Sequence, residues 1–239
     1  RKKENDQNWL AGLSTDPEWN SIPPWLQDRW KKNLGEAGCI KMAESVNKNP
    51  PNFIRFQPDI RSAEEVMNIL SEEGIESEIF SGLFLRLSSG LGKLLQTDIF
   101  NNGEISIQNP ASAAIVDCLD VRPGDTVLDV CAAPGTKSLY LSYMVGESGK
   151  VFASDLIKER VEKGKKDIER HGRSNIEWMV KDASKDTFPK TDLMLIDAPC
   201  TGTGVLGRKP DIRWRRKVSD IKEMSEKQYS ILNHCAKFI

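Results

Sequence analysis

The spacing of apolar residues changes character near residue 110. Before it the pattern is mixed. Residues 36–47 read as a helix ending ahead of Pro50-Pro51, and Phe53-Ile54-Arg55-Phe56 alternates as a strand does. Ser62-Ala63-Glu64-Glu65 predicts a helix start, with acidic residues in the first turn where the helix dipole favours them. Val66, Ile69 and Leu70 form that helix's apolar face and Gly74 ends it. Residues 75–80 and 83–87 predict two more strands around Ser81-Gly82. From about Ala111 strands and helices alternate: strands over 126–130, 150–153, 175–180 and 192–196, helices over 135–144, 157–170 and 219–238. Such alternation implies parallel pairing through right-handed crossovers.

The expected fold class is therefore α/β, a doubly wound sheet preceded by a small α+β domain. Three regions follow: a linker or helical segment over 1–34, a small α+β, RNA-recognition-like domain over 35–108, and the doubly wound domain over 109–239. Four of the six tryptophans (Trp9, Trp19, Trp25, Trp30) lie in the first region, where packing against the next domain is the expectation. The aromatic signature of an RNA-recognition motif is absent from the second, so base stacking on its sheet is not expected. Four parallel strands are few for a doubly wound domain. The chain also opens on Arg1 and stops at Ile239 inside a helical pattern, so a fragment of a longer protein is expected, with the last domain cut at its C-terminus.

Composition narrows the chemistry. The 239 residues carry a formal net charge of -1, so a basic surface has to be local. No apolar run reaches the ~18 residues of a membrane helix. The five cysteines (Cys39, Cys118, Cys131, Cys200, Cys235) show no CxxC spacing, which argues against disulfides or a metal site and for a reducing cytoplasm.

Leu128-Asp129-Val130 leads into Cys131-Ala132-Ala133-Pro134-Gly135-Thr136-Lys137, a strand, a small-residue turn and a helix start. Small side chains let a ligand approach the backbone, the helix N-terminus favours an anionic group, and Lys137 offers a charge to a carboxylate. One glycine does not make the G-x-G-x-x-G of a dinucleotide site. Asp155 closes the second strand, where a carboxylate suits a ribose diol, and Arg160 lies one helical turn on to orient it. Asp182 follows the third strand and Asp197 the fourth. Each alone is an ordinary turn or cap residue; together they put four strand ends beside acidic or ligand-shaped turns. Asp197-Ala198-Pro199-Cys200 then sets a thiol in a glycine-lined loop, outside the carboxyl end of a strand. A free cysteine packed as a small hydrophobe is the competing fate. Arg208, Lys209, Arg213, Arg215, Arg216 and Lys217 place six cations in ten residues, with Trp214 among them. They make a candidate phosphate-contact patch with a stacking ring, although charge runs are commonly solvated faces.

The stretches Asp129–Lys137 and Asp197–Val205 closely resemble the Sun (Fmu-type) family of RNA cytosine-5 methyltransferases. Gln108-Asn109-Pro110-Ala111-Ser112 is similar to that family's entry motif, and Arg208-Lys209-Pro210-Asp211-Ile212-Arg213-Trp214 to its continuation. The resemblance runs from about Pro24 to the end. It implies a class I, Rossmann-like methyltransferase domain with S-adenosylmethionine as cofactor. The turn from Cys131 to Lys137 would hold the methionine part, Asp155 the ribose, Asp182 the adenine side, and Asp197 would line the methyl-transfer site. Thr136 departs from the family's usual second glycine. Members use two cysteines: one in a Thr-Cys-Ser motif attacks C6 of cytosine, and the Pro-Cys cysteine assists product release. By resemblance Cys200 is the second. Cys235, mid-helix, is not the first, which is expected beyond Ile239.

The resemblance implies methylation of cytosine C5 in RNA, 16S ribosomal RNA being the expected substrate, by a cytoplasmic monomer that needs no metal. Two alternatives stand beside it. One is a class I methyltransferase on another substrate such as an exocyclic amine, which would favour an Asn/Asp-Pro-Pro-aromatic loop where this chain has Pro199-Cys200. The other is an RNA-binding or ribosome-assembly factor without turnover.

Overall fold

The computed structural model describes residues 20–239, so Trp9 and Trp19 lie outside the described residues. These residues form two compact units, one of the residues up to Pro50 with Cys200–Glu226, the other of Pro51–Pro199 with Lys227–Ile239.

In the first unit, helix α1 (Pro24–Asn47) begins on a proline and breaks at Gly35, whose φ of 74° only glycine adopts readily. Leu26 and Trp30 from the first arm and Cys39 and Ala43 from the second pack into one cluster with Ile22 and Leu206. The position expected as a boundary, 34/35, is thus a break inside a helix whose two arms share one core.

The second unit holds two sheets. Strands β1 (Asn52–Phe56), β2 (Ser77–Ser81), β3 (Phe84–Leu87) and β4 (Ile105–Ile107) make an antiparallel sheet in the order β2-β3-β1-β4. Helix α2 (Ala63–Glu72) starts with a capping box, Ser62 accepting from the Glu65 amide while Glu65 accepts from the Ser62 amide. Its Val66 and Leu70 join Ile54, Phe56 and Leu85 in one core. On the other side of β1, Arg55 is fully buried, its guanidinium 4.5 Å from the centre of the Tyr140 ring and its Nε donating to Gln108 at 2.8 Å. Both faces of β1 are thereby covered, and neither is open to a stacked base. Strand β4 and helix α3 (Pro110–Asp117) were not expected as elements; each is short and their flanking residues carry no clear periodicity.

Strands β5 (Thr126–Asp129), β6 (Lys150–Asp155), β7 (Ile176–Val180) and β8 (Leu193–Leu195) form a parallel sheet in the order β7-β6-β5-β8. Helices α4 (Thr136–Val145) and α5 (Lys158–Arg170) make the crossovers, and α6 (Ser219–Cys235) contributes Ile231 and Cys235 to the core beside Leu128 and Val130. The chain steps outward from β5 to β7, then returns to the far side of β5 as β8. That reversal places a crevice at the carboxyl ends of the strands.

The two sheets meet at a polar seam. Gly103 (φ 71°) lies so close to the Arg170 carbonyl that an added Cβ would stand 2.2 Å from it. His171 is buried there, its Nδ1 donating to the Gly103 carbonyl and lying 3.3 Å from Gln57. Burial beside Arg170 pushes this imidazole down to about 4, so the ring is neutral.

Candidate functional site

Four consecutive strand ends converge on one cleft of about 510 Å³, part of it open to solvent. Cys131 follows β5, Asp155 and Arg160 come from the end of β6 and the start of α5, Asp182 follows β7, and Pro199 follows β8. Helix α6 closes the wall with Lys227 and Ile231. The parallel register explains the convergence: Asp129 of β5 pairs with Ala153 and Leu195, and Asp155 with Val180, so the four strands end nearly level.

Around the turn after β5 the backbone is tightly held. The Ala132 amide donates to the Ser154 carbonyl at 2.8 Å, and the Gly135 amide to the Ala132 carbonyl at 2.9 Å. Gly135 has φ 109°, and a Cβ on it would stand 2.9 Å from the Trp178 ring. Glycine is required both for the backbone and for the indole behind it. As the N-cap of α4 it offers no side-chain acceptor, leaving the first amides of that helix to an outside partner. Arg160 donates to the Ala133 carbonyl and pairs with Asp155 at 3.0 Å, tying the turn to the end of β6.

The carboxylates differ in their surroundings. Asp155 is buried, with one oxygen accepting from the Ile157 amide at 3.1 Å. The next two residues, Leu156 and Ile157, are 55% and 46% exposed in the cleft, an apolar surface left uncovered by the fold. Asp182 accepts from the Ser184 hydroxyl at 2.6 Å and from the Ser184 amide at 3.0 Å, which hold its carboxyl below the usual range. Asp129 is fully buried; burial pushes it up to about 6, opposed by the Ser138 hydroxyl at 2.7 Å and by Lys137, and its second oxygen has no partner. Burial, with Asp129 and Asp155 adding charge, pushes the Cys131 thiol up to about 12, so it remains protonated. Lys137 and Asp197 pair with each other at 2.5 Å.

Cys200, next in the chain after Pro199, is exposed. The basic segment behind it is less available than its composition suggests. Arg213 is buried and donates to the carbonyls of Asn20 and Val46 and to the Asn47 side chain, at 3.2, 2.9 and 2.7 Å. This corrects the expectation that Arg213 meets phosphate: its charge is spent inside the fold. Arg215 pairs with Asp211 at 3.0 Å, and Arg216 donates to the Thr201 carbonyl at 2.9 Å. Arg208 and Lys209 are exposed, and Trp214 is 65% exposed. Of the site residues that now stand out, Asp129, Lys227 and Gln228, whose Nε2 donates to the Pro199 carbonyl at 2.9 Å, had no role in the expected set. Asp129 carried a signal, being a carboxylate in the motif itself; the other two did not.

Among the described residues no group of three or more His, Cys, Asp or Glu could hold a metal, and no helix is long and apolar enough to cross a membrane.

A parallel, doubly wound sheet with its crevice at these strand ends, joined to a ferredoxin-like domain, defines a Rossmann-like methyltransferase fold. The family described as 16S rRNA methyltransferase RsmB/F matches residues 116–239, just over half of the chain, and the RsmF/B-like ferredoxin-like domain matches 22–86. The chain belongs to the RsmB/F family. It is 33% identical over 223 residues to the "Probable ribosomal RNA small subunit methyltransferase B" of Bacillus subtilis, covering 92% of this chain and 50% of that protein. Among solved structures, PH0851 superposes with a TM-score of 0.86 at 31% identity, over 98% of this chain and 53% of that one. NSun6 from Pyrococcus horikoshii with SFG gives a TM-score of 0.81 at 18% identity, over 92% and 81%, a likeness of fold. The chain spans about half the length of the curated relatives it matches.

Proposed function

We propose that this chain is the cofactor-binding and product-release part of an enzyme that methylates C5 of a cytosine in 16S ribosomal RNA, with S-adenosylmethionine as methyl donor. The observation that carries the reading is the cleft where four strand ends converge, with Pro199 in its wall and Cys200 the next residue. The donor set fits such a cofactor. Asp155 offers acceptors to a ribose diol and Arg160 holds it in place. Leu156 and Ile157 supply an apolar face for a flat base, with Asp182 at its polar edge. The turn Ala132-Ala133-Pro134-Gly135-Thr136 presents backbone to the methionine part, and the unpaired Asp129 oxygen is an acceptor for an ammonium group.

When bound, S-adenosylmethionine supplies an electrophilic methyl group. Cytosine C5 is a poor nucleophile until a thiolate adds to C6. None of the five cysteines takes that attacking role in this reading. Cys131 stays protonated and serves the cofactor wall. The Lys137–Asp197 pair lines the transfer site. Cys200 assists the final elimination, in which a base takes the C5 proton, the C5–H electron pair forms the C5–C6 double bond, and the C6–S bond breaks with its pair returning to the attacking sulfur. Arg208, Lys209, Arg215 and Trp214 are the RNA-facing set, and 109–239 is the methyltransferase domain, working in the cytoplasm.

The test is Cys200→Ala in the full-length protein. Attack proceeds while release fails, so a covalent protein–RNA adduct accumulates on denaturing gels with substrate RNA. Absence of the adduct removes Cys200 from release.

A further inference from the structure

Pro199-Cys200-Thr201 leaves the end of β8 with an exposed thiol, yet the carbonyls on both sides of Cys200 are taken by side chains. Gln228 of α6 donates from Nε2 to the Pro199 carbonyl at 2.9 Å. Arg216 donates from Nε to the Thr201 carbonyl at 2.9 Å, while its Nη1 lies 3.6 Å from Asp220. The Pro199 carbonyl shares a rigid peptide plane with the Cys200 nitrogen, so a bond to that oxygen fixes the rotation of the plane. The Thr201 carbonyl belongs to the plane leading into Gly202. There φ is 75°, and a Cβ would meet Ile212 at 3.1 Å, so the turn favours glycine at this position.

Water satisfies surface loop carbonyls at little cost. Two side-chain donors placed on the carbonyls that bracket a single exposed thiol therefore serve geometry more than stability. We propose that Gln228 and Arg216 are positioning residues for Cys200, and that Arg216 does this in place of contacting phosphate. The proposal rests on Cys200 acting in product release.

The experiment uses Gln228→Met, which keeps size and loses the donor, and Arg216→Lys, which keeps charge and loses the guanidinium Nε–H. In the full-length protein each slows product release roughly tenfold and raises the adduct fraction, as misplacement of a reacting group does. S-adenosylmethionine affinity and the salt dependence of RNA binding stay at wild-type values. Wild-type turnover by Arg216→Lys overturns the proposal for Arg216. So does an Arg216→Gln variant that lowers the salt slope by about one while releasing product normally, the behaviour of a phosphate contact. Wild-type release by Gln228→Met overturns it for Gln228. Cys200→Ala is run alongside. If it gives no adduct, the release role itself has failed, and positioning is decided by iodoacetamide labelling of Cys200 relative to exposed Cys118, read by peptide mass spectrometry. A changed ratio in the two variants supports positioning, and an unchanged ratio overturns it.

Discussion

The strand-end cleft and the basic segment 208–217 both gather charged side chains, and the fold uses them in opposite ways. In the cleft, Asp155 and Asp182 are brought to one opening by the level ends of parallel strands, and apolar Leu156 and Ile157 are left uncovered next to them. In the basic segment, Arg213 is turned inward onto three oxygens and Arg216 onto the Thr201 carbonyl, while Arg215 pairs with Asp211 at the surface. Topology decides where a strand-end carboxylate goes. A cation in a charge run goes wherever the nearest acceptors are.

Breaking this contrast has its largest effect at Arg213. Arg213→Ala leaves three acceptors without their charged donor and should cost about 3 kcal/mol of stability, read by denaturant unfolding. RNA affinity of the still-folded fraction should keep its salt slope; a lowered slope would return Arg213 to the phosphate-facing set.

His171 offers the complementary case of a buried basic group that gives up its charge. Its folded value near 4 lies below the ordinary 6.5, so the unfolded chain takes the proton first. Stability from this group is complete above about pH 6.5 and is lost as pH falls toward 4, by up to roughly 3 kcal/mol. His171→Asn should flatten that part of the pH–stability curve; an unchanged slope would locate the titration elsewhere.

The smallest effect belongs to Lys209, which is exposed. Lys209→Gln should leave stability within about 0.5 kcal/mol and lower the slope of log affinity against log salt by about one. An unaltered slope would take the RNA away from this segment.

These differences also explain what could be read in advance. The four parallel strands, the capped helix α2 and the hairpin at Ser81-Gly82 follow from local periodicity and turn chemistry; Asp155 ends β6, Asp182 lies just past β7, and Arg160 comes from the first turn of α5. The partners of Arg213 lie 193 and 166 residues away, at Asn20 and Asn47, and nothing near Arg213 announces them. Lys137 and Asp197 are 60 residues apart, and neither stretch of sequence announces their pairing. Gln228 reaches Pro199 across 29 residues from a helix face that reads only as polar. Local pattern fixes the elements, while the long-range pairing of polar groups is settled by packing.

On the proposed function, the strand-end cleft holds S-adenosylmethionine through Asp155. Titration calorimetry of that cofactor against the chain and against Asp155→Ala tests it directly. Saturable binding that weakens roughly ten- to hundredfold on losing the carboxylate acceptor is the predicted result. No binding by the unaltered chain, or equal affinity in the two proteins, would contradict it.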